Sequence, residues 1–161
     1  MPAHAAEREE QKTLTREALA ERLNEDLARE YQAIIAYVVY SQALKGAEYM
    51  NIADELEKHA AEELKHAITI AKQIYYLGVM PTTKALPVKV SASAVEMLRA
   101  DLDNENATVK AYRQRVKECE SIGEYAIAEE IREILKQEQE HQIDLATALG
   151  EEVPDVSKIK V

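Results

Sequence analysis

Apolar side chains recur every three or four positions through four long stretches of the chain, the spacing of a helix with one buried face. The first stripe runs Leu19, Leu23, Leu27, Glu30, Ile34, Tyr37, and the second Ile52, Leu56, Glu63, His66, Ile70, Ile74, Leu77. The third is Val95, Leu98, Leu102, Glu105, Val109, Tyr112, Val116, Cys119, and the fourth Ile127, Ile131, Ile134, Glu138, His141, Leu145. Each stripe carries one glutamate near its middle. The second and fourth add a histidine one turn later.

Helix-breaking residues set the limits. The first helix is expected from Thr15, a capping residue, to Lys45 before Gly46; the second runs from Ala47 to Leu77 before Gly78. Pro81 and Pro87 bracket a non-helical stretch to about Val90. The third helix starts near Ser91 or Ser93, where Ser93 and Glu96 have capping-box spacing, and stops at Gly123. The fourth spans Glu124 to Leu149, and the tail beyond Gly150 is broken by Pro154. The domain expectation is an N-terminal extension at 1–14, a four-helix bundle at 15–149 and a tail at 150–161. Short links make each half an antiparallel hairpin. The connection between the halves could span the bundle, so spacing allows both up-down-down-up and up-down-up-down.

Ionised carboxylates on four core stripes would repel one another and lose hydration, a cost of several kcal/mol each. Two divalent cations would cancel four such charges. Glutamate oxygens with imidazole nitrogens suit iron or manganese, and zinc less distinctively. Glu-x-x-His puts both side chains on one helix face. The pattern is duplicated: Glu30 to Glu63 and Glu105 to Glu138 are each 33 residues apart, and His66 and His141 each follow three later. The flanks repeat as well, Asp26-Leu27 and Ala36-Tyr37 against Asp101-Leu102 and Ala111-Tyr112. Glu30, Glu63, His66, Glu105, Glu138 and His141 are therefore the candidate ligands of a dinuclear metal site.

Neighbouring residues have two readings each. Tyr37 and Tyr112 lie two turns after Glu30 and Glu105; either is a redox tyrosine beside the metals or a core aromatic whose hydroxyl meets a carboxylate. Asp26 and Asp101 either accept the second ring N–H of a ligand histidine or face water. His59 and His4 read as surface residues, and Cys119 as packing.

Composition narrows the class. The 161 residues are 47% apolar, with eight Tyr, no Trp or Phe, and few glycines and prolines, which favours long helices. A formal charge of -10 argues against nucleic-acid binding and suits the gathering of cations. The single cysteine allows no intramolecular disulfide. Met1 to Gln11 is polar and acidic, unlike a signal peptide, and no apolar run is long enough to span a membrane, so a cytoplasmic location is expected.

From Leu23 to Leu149 the chain resembles the ferritin-like superfamily, within it the bacterioferritin and bacterial ferritin branch. The resemblance rests on Glu30, Glu63-Leu64-Lys65-His66, Glu105 and Glu138-Gln139-Glu140-His141, with Tyr75-Tyr76-Leu77-Gly78 before Pro81. It implies an all-α, up-down-down-up bundle with one long crossover between the second and third helices. It implies that Glu63 and Glu138 bridge two irons, that Glu30 with His66 and Glu105 with His141 complete them, and that Tyr37 is the tyrosine near the site. Fe(II) oxidation by O2 or H2O2 for iron storage or detoxification, in a hollow homo-oligomeric shell, would follow. Bacterioferritins bind haem through a Met directly after the second-helix metal glutamate; here that residue is Leu64, so no haem is expected. Rubrerythrin-type proteins carry a glutamate three after the third-helix ligand, where this chain has Thr108. A non-storage di-iron or di-manganese oxidase or peroxidase would use the same ligands, and a metal-independent helical interaction module would need none of them.

Overall fold

The computed structural model describes residues 13–160. The expected extension at 1–14 falls outside the described residues except for Thr13 and Leu14, as do His4 and Val161. Four long helices dominate: α1 Arg16–Ala43, α2 Met50–Tyr76, α3 Ala94–Ser121 and α4 Tyr125–Ala148. The described residues contain no strand.

Local chemistry sets the ends. Thr15 caps α1 by accepting the Ala18 N–H at 3.1 Å. Ser93 caps α3 by accepting the Glu96 N–H at 3.3 Å. Only half of the expected capping box forms, because the Glu96 carboxylate accepts from the Ser91 hydroxyl, which also holds the Ser93 N–H. Gly123, at φ +80, reverses the chain after α3, and the Glu124 N–H closes back on the Cys119 carbonyl at 2.9 Å. The second helix does not start at Ala47. Ala47–Tyr49 form a 3-10 turn, and α1 already ends at Ala43 with Leu44 extended. The tail adds one 3-10 turn at Val156–Lys158.

Side-chain pairings settle the topology that loop length left open. Between α1 and α3, Asp26 meets Arg115, Glu30 meets Tyr112 and Tyr37 meets Glu105, so these helices are antiparallel. Between α2 and α4, His59 meets Asp144, Glu62 meets His141 and His66 meets Gln137, again antiparallel. With each hairpin antiparallel, the order is up-down-down-up. The crossover lies along α1 for most of its length: Asn24 bonds the Met80 carbonyl, the Leu86 N–H bonds the Ala28 carbonyl, Gln32 bonds the Pro87 carbonyl and Tyr40 bonds the Lys89 carbonyl.

The core is split in two. One apolar cluster joins Leu19, Leu23 and Leu27 to Ile70, Ile74, Ile127 and Ile131. The other joins Tyr37 and Tyr40 to Leu56, Leu98, Leu102 and Leu145. Each fully buried Leu or Ile contributes about 1.5–3 kcal/mol, so two greasy blocks can carry a polar layer between them. The stripes hold with local exceptions. Val95, in the first turn of α3, is exposed and Met97 is buried instead; Ile34 and Val116 are half-buried.

Candidate metal centre

The polar layer between the two clusters consists of the six predicted side chains. Glu30, Glu63, His66, Glu105, Glu138 and His141 are all at most 3% exposed. All four long helices contribute, each from its middle, because the mid-stripe glutamates lie level in a bundle of this topology. Both imidazoles turn Nδ1 inward. His66 Nδ1 lies 2.8 Å from Glu63, 3.2 Å from Glu138 and 3.7 Å from Glu30. His141 Nδ1 lies 3.0 Å from Glu63, 3.1 Å from Glu138 and 3.6 Å from Glu105. Two groups of ligand atoms result, each within 4.8 Å: Glu30, Glu63, His66, Glu138, and Glu63, Glu105, Glu138, His141. Glu63 and Glu138 belong to both.

The electrostatics without metal are those of a site short of cations. Burial, then the charges of its neighbours, pushes the Glu63 carboxyl well above its usual range and that of Glu138 to about 8. Burial also acts on Glu105 and Glu30, but hydrogen bonds, led by His141 and His66 respectively, hold Glu105 at about 2 and Glu30 below its ordinary value. Burial opposes charge on the two rings, yet the surrounding carboxylates raise both far above the ordinary histidine range. These shifts favour protons on the two imidazoles, Glu63 and Glu138 and charge on Glu30 and Glu105. One oxygen on each glutamate, Glu30 Oε2, Glu63 Oε1, Glu105 Oε2 and Glu138 Oε1, is buried without a hydrogen-bond partner. Buried unpaired oxygens are rare in folded proteins. Four of them converging on two imidazoles fit a pair of divalent cations, which would replace the protons without changing the net charge.

The surrounding residues hold this set in place. Tyr37 donates to Glu105 and Tyr112 donates to Glu30, each reaching from α1 to α3 or back. Both hydroxyls are buried, and burial followed by carboxylate charge pushes their pKa well above normal, so both remain donors. The outer ring nitrogens find partners the sequence reading missed. His66 Nε2 bonds Gln137 Oε1 at 2.6 Å, and His141 Nε2 bonds Glu62 Oε2 at 2.7 Å. With Nε2 the donor in both rings, the Nδ1 lone pair of the neutral ring points inward. Glu62 and Gln137 each directly precede the glutamate of a Glu-x-x-His pair, a position that single-helix periodicity reads as solvent-facing.

Asp26 and Asp101 do neither of the things expected of them. Asp26 is buried against Arg115, at 2.7 Å, and Arg29. Asp101 is buried with Oδ2 unpaired, and desolvation followed by the Glu105 charge raises its carboxyl well above its usual range. Arg115 in turn holds Glu118, a cross-helix network that single-helix periodicity does not reveal. His59 is not a surface residue. It is 2% exposed, bonds Asp144 at 2.9 Å and stacks on His141 with centroids 4.0 Å apart. Its place was legible, since it fills the gap between Leu56 and Glu63 at steps of three and four. Cys119 is buried, and burial pushes its thiol to about 12, consistent with packing.

The sequence model of the family described as ferritin-like domain matches residues 20–152. The bacterioferritin of Desulfovibrio desulfuricans is 33% identical over 120 residues, 74% of this chain and 67% of the relative. The bacterioferritin of Brucella melitensis is 27% identical over 139 residues, 82% of this chain and 86% of the relative. A crystal structure of ferritin-like, diiron-carboxylate proteins from Bacillus anthracis superposes with a TM-score of 0.78 at 31% identity, covering 81% of this chain and 94% of that one.

Proposed function

The chain belongs to the ferritin-like domain family, and from that premise we propose that it is a ferroxidase that oxidises Fe(II) with O2 or H2O2 at a dinuclear site inside one chain. The observation that carries the reading is the convergence of four buried glutamates on two inward-turned imidazoles, with one oxygen of each glutamate making no aligned hydrogen bond. Two Fe(II) ions supply the two electrons that reduce H2O2 to water, or O2 to H2O2, with two protons consumed.

In this reading Glu63 and Glu138 serve both iron positions, because each belongs to both ligand groups. Glu30 with His66 and Glu105 with His141 complete the two ends. Tyr112 and Tyr37 hold the terminal carboxylates in their rotamers, and Tyr37 is also the candidate redox tyrosine. Gln137 and Glu62 fix the ring tautomers. The apolar clusters on either side keep bulk water away, which strengthens every charge interaction within. Haem has no place in the reading, since Leu64 offers no ligand atom on the outer face of α2.

The proposed assembly is a homo-oligomer of shell type, located in the cytoplasm, storing or detoxifying iron. Exposed apolar residues on the two helices of the first hairpin, Ile35, Val38 and Val39 on α1 and Leu64 and Ile68 on α2, support self-association. No described helix is long and apolar enough to cross a membrane. The acidic surface gives no support to a nucleic-acid partner. The test is Fe(II) oxidation by wild type and Glu63→Ala. Glu63→Ala is expected to lose about 100-fold or more in rate, beyond the roughly 10–100-fold typical of losing only a partner behind a ligand. Unchanged oxidation would refute the site. Assembly mass with iron content per chain separates storage from a two-metal oxidase: a large shell with many irons supports the former, a small oligomer with two metals per chain the latter.

A further inference from the structure

The two hairpins repeat each other, so each side chain has a counterpart that shows what the fold alone requires. His59 sits four residues before Glu63; its counterpart, four before Glu138, is Ile134, an ordinary buried core residue. Asp144 sits three after His141, and its counterpart, three after His66, is Thr69. The bundle therefore closes without a buried histidine at this level. His59 is nevertheless present and buried, with Nε2 against Asp144 and Nδ1 without a partner. Its ring is not fully satisfied by the fold.

A cavity of about 470 Å3 opens between α2 and α4, lined by Glu55 and Asp144, the latter being the hydrogen-bond partner of His59. Its lining includes Glu48, Asp54, Glu55 and Asp144 against one lysine, Lys58, which sits on Glu55. Below the His66 end of the same helix pair, a second cavity of about 360 Å3 is balanced, with Lys65 and Lys136 against Glu130 and Glu133. Charge thus favours cations at one opening only. Ligand atoms of Glu55, His59 and Asp144 lie within 4.8 Å of one another.

We propose that Glu55, His59 and Asp144 form a third divalent-cation site, on the cavity side of the dinuclear centre. One imidazole nitrogen with two carboxylates selects a transition-series ion such as Fe(II), Co(II) or Zn(II) over Mg(II) or Ca(II), which prefer all-oxygen sets. The site uses none of the six side chains of the dinuclear centre and does not depend on their reading. The stacking of His59 on His141 places it directly beside that centre.

Titration of the full chain with Co(II), followed by absorbance and calorimetry, tests this. Wild type is expected to bind three Co(II) per chain and His59→Leu two, leucine being chosen because Ile134 fills the matching position. Asp144→Asn is expected to weaken the third ion by roughly tenfold or more. Melting curves of the metal-free variants close to wild type, with two ions still bound, show that the fold survives. An anomalous-scattering peak between Glu55, His59 and Asp144 in Co(II)-loaded crystals would locate the ion. Saturation of wild type at two ions, or of His59→Leu at three, would overturn the proposal. Glu63→Ala distinguishes the two readings: it should remove the dinuclear pair and leave the third ion. Retention of all three in Glu63→Ala counts against the dinuclear reading alone.

Discussion

Loading the metal-free chain with two divalent cations should expel close to four protons. At neutral pH the empty site holds protons on His66 and His141, raised far above their ordinary value by the surrounding carboxylates, and on Glu63, raised well above its range. Glu138, at about 8, is about nine-tenths protonated at pH 7. Glu30 and Glu105 are already ionised. Metal ligation requires neutral rings and ionised carboxylates, so all four protons must leave. The sign follows: protons and cations compete, and affinity rises with pH. The combined binding constant of the two ions should climb steeply with pH, each proton that must leave adding about one power of ten per pH unit. The slope should ease as the pH passes about 8, where Glu138 ionises. A third cation at His59 adds little, because burial, then the His141 charge, keeps that ring below its ordinary pKa. Anaerobic Zn(II) titration in a pH-stat, or calorimetry in buffers of different ionisation enthalpy, counts the protons. Release of fewer than two per chain would show that the carboxylates and rings do not share charge as described.

Arg115→Met should destabilise the chain by up to about 3–5 kcal/mol, lowering the melting temperature by up to roughly 6–20 °C, because it leaves the buried Asp26 with Arg29 as its one basic partner. Asp26→Leu combined with Arg115→Met should recover most of that loss; equal melting of single and double variants would rule out the charge explanation. Glu62→Gln keeps the acceptor behind His141 but removes its charge, and should weaken Zn(II) binding by about tenfold or more in a chelator competition, with Gln137→Glu acting in the opposite direction. Tyr37→Phe removes the donor to Glu105 and should cost the metal-free protein about 1.5–3 kcal/mol in denaturant melts while the count of bound cations stays at wild type.

The helices and the six candidate ligands could be read from the chain because one rule governs both. A three-four rhythm marks the buried face, and a charge on that face stands out only where the rhythm is strong. Glu30, Glu63, Glu105 and Glu138 satisfied it, and the exact duplication of Glu-x-x-His raised them above coincidence. What could not be read depends on two helices at once. Arg115 sits in its own helix as an ordinary basic residue, and only the register of α3 against α1 brings it to Asp26. Glu62 and Gln137 look solvent-facing until the antiparallel pairing of α2 and α4 carries them to the opposite histidines. The crossover length allowed two topologies, and the choice shows only in the antiparallel pairings of α1 with α3 and α2 with α4, with Asn24, Gln32 and Tyr40 holding the crossover along α1. The 3-10 turn at Ala47–Tyr49 is a local adjustment with no hydrophobic signature.

The imperfections of the repeat are more informative than its symmetry. Glu30 and Glu105, Glu63 and Glu138, His66 and His141, Tyr37 and Tyr112 occupy matching positions and make matching contacts. Their neighbours do not match: His141 leans on a carboxylate and stacks on a second imidazole, whereas His66 leans on an amide. A carboxylate behind an imidazole makes its inward nitrogen the stronger donor, and an amide does so less. Two cations bound in this layer would therefore be unequal, the one at His141 held more tightly and closer to the acidic cavity. An oxidase whose two positions differ can keep one ion while the other exchanges, and the same asymmetry gives a cation a preferred side from which to arrive.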